Sequence, residues 1–177
     1  VINNREIKLI NSLKRKKNRI EQGLFVVEGE KNVEELMLSD FQILDIYATD
    51  EWSTDANHIK VSQKDLGRIT SLSTPNKVLA VVKIPNLNSI NTGITSLIID
   101  GVNDPGNLGT IIRTANWFGI NQVICSNNSV DKFNPKVIMA SMGSIFKTNV
   151  FYTDLHKFLS DSKLPIYGAL LEGESIY

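Results

Sequence analysis

Short apolar runs alternate with amphipathic stretches from one end of the chain to the other. Leu24-Phe25-Val26-Val27 reads as a strand, and Val33, Leu36 and Met37 fall at helical spacing within Asn32 to Leu38. Ile43 to Ala48 is strand-like, a polar connection runs from Asp50 to Asn57, and Gln63 to Leu72 carries a helical pattern. Lys77 to Lys83 (KVLAVVK) is a short buried strand. Ile84 to Gly93 then drops in hydrophobicity and collects Pro, Asn, Ser and Gly, the composition of a linker. A second series follows: strand Ser96 to Asp100, a turn and a helix, strand Gln122 to Cys125, helix Pro135 to Met142, strand Asn149 to Tyr152, helix Leu155 to Leu159 and strand Ile166 to Leu171. This alternation predicts an α/β fold with mainly parallel pairing, divided into residues 1–84, a linker 85–93 and residues 94–177.

A length of 177 residues, 42% hydrophobic and 21% charged, suits one ordinary domain or two small ones and excludes disorder and coiled coil. Nineteen basic and nineteen acidic residues cancel, which weighs against a uniformly basic nucleic-acid binder. The balance is uneven along the chain. Arg5 to Arg19 holds seven basic residues against the single acid Glu6, and acids gather from Glu21 to Asp40. Lys14, Arg15, Lys16, Lys17 and Arg19 read equally well as a solvated helix face or as a patch facing RNA. One cysteine, Cys125, and two histidines allow no internal disulfide and no metal cluster, and point to a reducing compartment, the cytoplasm. No apolar run approaches the ~18 residues of a membrane span, and the chain opens at Val1 on a polar, basic stretch rather than a signal segment.

The chemistry-bearing stretch is Asp100-Gly101-Val102-Asn103-Asp104-Pro105-Gly106-Asn107-Leu108-Gly109-Thr110-Ile111-Ile112-Arg113-Thr114-Ala115: a strand end, a turn and a helix start. Asn107 is the expected N-cap and Gly119 the expected stop. Leu108, Ile111, Ile112, Ala115 and Phe118 fall on one apolar stripe, whereas Arg113 lies about 100° or more from its centre and is not core packing. Turns that follow a parallel strand and open a helix are where α/β proteins bind ligands. A capped helix with a surface arginine is the plain alternative, and the G-x-G-x-x-G dinucleotide fingerprint is absent.

Residues Asp100 to Ala115 resemble the first motif of the SpoU (TrmH) family of RNA ribose 2′-O-methyltransferases, in the SPOUT superfamily. Asn134-Pro135-Lys136-Val137-Ile138-Met139-Ala140-Ser141-Met142-Gly143-Ser144-Ile145-Phe146 resembles the family's next helix and turn. Lys14 to Glu35, with Phe25-Val26-Val27-Glu28-Gly29, and Thr74 to Val82 resemble its N-terminal substrate-binding domain. The resemblance implies a ribosomal-protein-like α/β RNA-binding domain joined to an α/β methyltransferase domain whose trefoil knot holds S-adenosylmethionine. It implies a homodimer and an rRNA or tRNA substrate. The family's Gly-rich second motif and Ser-Leu-Asn third motif would lie beyond Tyr177, so the knot is expected to be truncated before it closes. Ala169 and Leu170 are then the residues expected to line the cofactor pocket, and this chain by itself is expected to bind the cofactor weakly or not at all.

By the same resemblance Arg113 is the catalytic arginine and Asn107 the motif asparagine, fixing the arginine or the ribose. A guanidinium with a pKa above ~12 is a poor base and a good bidentate phosphate clamp, which makes Arg113 an orienter and charge stabiliser. Asp104, Pro105 and Ser144 are expected to shape turns, and His58 and His156 to stand outside the chemistry. Trp52 and Trp117 could stack on unpaired bases, Trp117 equally well forming a dimer contact. A non-catalytic RNA-binding protein of the same fold is the alternative function, and a nucleotide-binding α/β protein of another kind a more distant one.

Overall fold

The computed structural model describes residues 2–86 and 89–169. Helices α1 (Asn4–Ser12) and α2 (Lys16–Gln22) come first, out of the basic segment. A capping box starts α1: Asn3 Oδ1 accepts from the N–H groups of Arg5 and Glu6, and the Glu6 carboxylate accepts from the Asn3 N–H at 2.7 Å. Gly23, at φ 64°, ends α2 in the left-handed conformation and turns the chain into β1 (Leu24–Glu28). Then come α3 (Glu30–Met37), β2 (Ile43–Ala48), β3 (Ile59–Lys60), α4 (Gln63–Ile69) and β4 (Val78–Lys83). The helix expected to reach Leu72 thus stops at Ile69, and Thr70 leaves it in an extended conformation.

These strands form a sheet of order β1-β4-β2-β3 in which β4 runs antiparallel to both β1 and β2, and only β2 and β3 are parallel. The expectation of mainly parallel pairing fails in this half. A run such as Val78-Leu79-Ala80-Val81-Val82, buried throughout, reports a strand covered on both faces, and burial carries no information on direction.

In the second half β5 (Leu97–Ile99), β6 (Gln122–Ser126) and β7 (Asn149–Thr153) form a wholly parallel sheet in that order. The crossovers carry α5 (Pro105–Trp117) and α6 (Pro135–Ser141) with a 3-10 turn at Ser144–Phe146, and α7 (Leu155–Ser160) follows β7. No strand forms over residues 166–169, where one was expected; Leu170 and Leu171 lie outside the described residues. Ile166 and Tyr167 are 55% and 79% exposed, so among the described residues this short apolar run meets no neighbouring strand and no surface that covers it.

One apolar core runs through both sheets. Phe25, Val27, Val33 and Leu36 pack in the same cluster as Leu108, Ile112, Val123, Val137 and Ile138. The Phe25 and Phe133 rings stack with centroids 4.3 Å apart. A second cluster, with Ile10, Leu13, Tyr47, Leu66, Ile69 and Leu79, fills the other face of the first sheet under α1 and α4. Fully burying each such side chain contributes ~1.5–3 kcal/mol. The two sheets are therefore held as one packed body over the described residues.

Candidate functional site

The carboxyl ends of β5 and β6 open into two loops that are stitched together. Gly101, at φ 65°, donates its N–H to Ser126 Oγ at 2.8 Å, and Ser126 Oγ lies 3.1 Å from Ser129 Oγ. The Val130 N–H donates to the Val102 carbonyl at 2.8 Å, and the Tyr152 hydroxyl donates to the Val130 carbonyl at 2.7 Å. The first loop delivers the chain into α5. Asp104, not Asn107, is the N-cap: its Oδ1 accepts from the Asn107 N–H at 2.7 Å, with Pro105 in the first turn of the helix. Asn107 already lies inside the helix, so its own amide is exposed and free of the capping role expected of it. Pro105 at the first position has no N–H to satisfy, which is why the helix starts before rather than after Asn107.

Leu108, Gly109, Ile112 and Ala115 are the buried face of α5 and meet α6. The approach is closest at Gly109, where a Cβ would stand 2.5 Å from Ala140 Cβ and 2.6 Å from the Val137 carbonyl oxygen. Seating α5 so deeply fixes its outer face. Asn107, Thr110, Arg113, Thr114 and Trp117 are all exposed there. The Thr110 and Thr114 hydroxyls donate to the carbonyls of Gly106 and Thr110, whereas the Arg113 guanidinium has no hydrogen bond or ion pair to another described residue. Phe118 departs from the expected stripe. It is 74% exposed because the helix has already ended at Trp117 and no described element covers it, and it stands beside Trp117, 85% exposed. The outer face thus offers a cation, one amide, two hydroxyls and an aromatic edge.

Of the expected RNA-facing residues, Lys14, Arg15, Lys16 and Lys17 are exposed on the turn between α1 and α2 and the first turn of α2. Lys14 Nζ also donates to the Thr70 carbonyl at 2.8 Å, and Lys17 approaches Glu21 at 3.8 Å. Arg19 is a correction. It is 3% exposed, its Nε and Nη2 donate to Asp131 Oδ2 at 3.1 and 2.5 Å, and its Nη1 donates to the carbonyls of Leu13 and Lys14. A guanidinium spent in this way cannot reach a phosphate.

Trp52 is 4% exposed and is unable to stack on a base. Ser144 is buried at the start of the 3-10 turn, and His58 and His156 are exposed, His156 in the first turn of α7. Ala169 lies exposed on an extended segment and Leu170 outside the described residues. Asn107, Arg113 and Ala169 stand apart from the pocket of about 250 Å³ that Phe41, Lys132, Phe133 and Phe146 line.

Asp131 and Lys132 were not singled out from the sequence, although an adjacent acid and base just beyond a strand end was a visible signal. Lys132 Nζ donates to the Val150 carbonyl at 2.5 Å, and burial pushes its ammonium down to about 8. Burial likewise pushes the Cys125 thiol up to about 11. Lys132 lines a pocket of about 250 Å³ with Phe41, Phe133, Phe146 and Thr148. Among the described residues no group of His, Cys, Asp and Glu could hold a metal, and no helix is long and apolar enough to cross a membrane.

Comparison with known proteins agrees with this layout. The SpoU rRNA Methylase family profile matches residues 95–177, and the profile of the MRM3-like substrate binding domain matches residues 4–80. The chain is 31% identical to the 23S rRNA (guanosine(2553)-2′-O)-methyltransferase RlmP of Bacillus subtilis, over 98% of this chain and 73% of that protein. It is 30% identical to the mitochondrial rRNA methyltransferase 3 of Xenopus tropicalis, over 81% of this chain but only 39% of that protein. Among solved structures, a TrmH-family protein from Porphyromonas gingivalis superposes with a TM-score of 0.87 at 32% identity, over 98% of this chain and 73% of the other. An AdoMet-bound rRNA methyltransferase from Sinorhizobium meliloti superposes with a TM-score of 0.74 at 27% identity, over 90% of this chain and 66% of the other. The first motif lies within the matched range, at the carboxyl edge of a parallel sheet, and the chain belongs to the SpoU rRNA methylase family, with its SPOUT α/β fold.

Proposed function

We propose that the protein transfers a methyl group from S-adenosylmethionine to the 2′-hydroxyl of a ribose in ribosomal RNA. The observation that carries the reading is Arg113: an exposed guanidinium, without a described partner, on a helix packed closely against α6 at the carboxyl edge of the parallel sheet. The relatives named as rRNA methyltransferases support the substrate class. S-adenosylmethionine supplies, when bound, an electrophilic methyl on its sulfonium sulfur. Ala169 and Leu170 are our candidates for touching it, and the chain's own contribution is worked out without it.

That contribution is orientation. The planar fork of Arg113 holds a phosphate next to the target ribose bidentately, and a phosphate so held fixes the sugar, while the hydroxyl proton passes by way of a phosphate oxygen or a water to bulk solvent as the methyl is transferred. Asn107, released from capping, presents an amide that donates and accepts on the exposed side of the first turn, where it can hold a ribose oxygen. Lys14, Arg15, Lys16 and Lys17 neutralise backbone phosphates away from the reacting sugar. Residues 1–84 act as the RNA-binding unit and 94–177 as the methyltransferase unit, with 85–93 between them. Trp117 and Phe118 form the contact of a homodimer, and the single buried thiol suits the cytoplasm.

Mapping ribose methylation in rRNA from cells with and without the gene tests the function. One 2′-O-methyl lost with the gene and restored by it is the expected result. An unchanged map, with the protein still bound to rRNA, would favour the non-catalytic reading.

A further inference from the structure

We propose that Arg19 is a positioning residue that clamps the basic segment to the catalytic edge, setting the distance between bound RNA and Arg113; the inference rests on the methyltransferase reading. Three observations converge on its guanidinium. It is buried at 3% exposure. Its Nη1 holds the carbonyls of Leu13 and Lys14 at 2.8 and 3.0 Å, the backbone from which Lys14, Arg15, Lys16 and Lys17 project. Its Nε and Nη2 grip Asp131 from the other side of the molecule, and Asp131 belongs to the loop that leaves β6.

That loop is tied in turn to the one that launches α5, through Val130 on Val102 and Ser126 on Gly101. A continuous path of charged and backbone hydrogen bonds therefore runs from the basic segment through Arg19, Asp131, Val130 and Val102 to the start of the helix bearing Arg113. Lysine cannot replace the fork, because one ammonium cannot span a carboxylate on one side and two carbonyls on the other. The second ion pair between the halves, Lys147 with Glu35 at 2.6 Å, lies just before β7, at the opposite end of the parallel strands, and cannot set this spacing.

The clamp makes a distinctive kinetic expectation. Arg19 touches no phosphate, so removing it should leave RNA affinity and its salt dependence in place while the bound ribose is offered out of register. In the full-length protein, assayed at a temperature where every variant is folded by circular dichroism, Arg19→Met is expected to lower kcat at least 10-fold. Its Kd for rRNA should stay within twofold and the slope of log Kd against log salt should not change. Arg19→Lys should recover only part of kcat, and Glu35→Gln should match wild type. A weakened Kd with the salt slope reduced by about one charge would make Arg19 a direct RNA contact and overturn the proposal. Wild-type kcat in Arg19→Met would overturn it as well.

A readout independent of methylation separates the clamp from the function. With spin labels at Lys16→Cys and Asn127→Cys, the native Arg19 should give one narrow distance and Arg19→Met a broad distribution. The same narrow distance in both would refute the clamp even if the enzyme methylates. A wild type that never methylates would refute the functional reading, and the label distances would still decide the clamp.

Discussion

Gly109→Ala puts two opposing effects in one methyl group. Gly109 lies inside α5 with ordinary helical geometry, so alanine gains about 1 kcal/mol in helix propensity. The added Cβ, however, meets Ala140 Cβ at 2.5 Å, the Val137 carbonyl oxygen at 2.6 Å and the Ser141 nitrogen at 3.0 Å. Carbon atoms prefer roughly 3.5–4.0 Å, so α5 and α6 must part by about 1 Å locally, and two of the three opposing atoms are backbone that cannot swing away. Overpacking of this kind costs ~1–3 kcal/mol or more, and rigid opposition places it at or beyond the upper end. The net expectation is a loss of about 2 kcal/mol, or roughly 4–8 °C in Tm for a chain of this size.

Gly67→Ala calibrates the assay. Gly67 is an exposed interior position of α4 whose Cβ would lie 3.6 Å from Pro75 Cγ, an ordinary contact, so only the propensity gain of about 0.5–1 kcal/mol remains. Urea and thermal unfolding of both variants should therefore move in opposite directions. A Gly109→Ala protein as stable as wild type, or more so, would refute the close seating of α5 on α6 from which the fixed direction of Arg113 follows.

Asp104→Ala should cost about 1 kcal/mol, the cap and its favourable charge at the helix start being lost together, whereas Asn107→Ala should leave Tm within about 2 °C and still reduce methyl transfer. Equal stability losses in the two, by thermal unfolding, would restore Asn107 to the capping role. Lys132 supplies a pH test. Its folded pKa, about 8, lies below the unfolded value near 10.4, so the unfolded chain holds more protons between those pH values and the native state gains stability from this group as pH rises through that window. Below pH 8 the desolvation cost is fully present. Lys132 and Cys125 act on each other's charge, so both proteins carry Cys125→Ala; measured by urea unfolding, the stability of Lys132 relative to Lys132→Met in that background should climb on the order of 1–2 kcal/mol from pH 8 to 10. A difference that stays flat over that range would contradict a buried ammonium.

Much of the second half could be read directly from residue order. A strand, a Gly/Pro/Asn turn and an apolar stripe interrupted by Arg113 imply a helix start at a ligand-binding edge, and β5, α5 and β6 form there. The cap was misplaced because Asp104 and Asn107 are both good caps, and only the proline between them selects the first. Arg19 was grouped with its basic neighbours because its partner Asp131 is 112 residues away, a contact that periodicity and charge runs cannot register. The direction of β4 was hidden for a related reason: a strand buried on both faces looks the same whichever way its neighbours run. Phe118 kept the phase of the stripe but lay one residue past the helix, where phase no longer decides burial.

The central claim is that Arg113 organises methyl transfer rather than the fold, and one measurement separates the two. The full-length protein carrying Arg113→Ala is expressed in cells lacking the gene, and the 2′-O-methyl at the target ribose is quantified by mass mapping of the rRNA, alongside the Tm of the purified variant. Arg113 is exposed, so Tm should stay within about 2 °C, while methylation falls to the level of the deletion. Normal methylation by a folded Arg113→Ala protein would contradict the account.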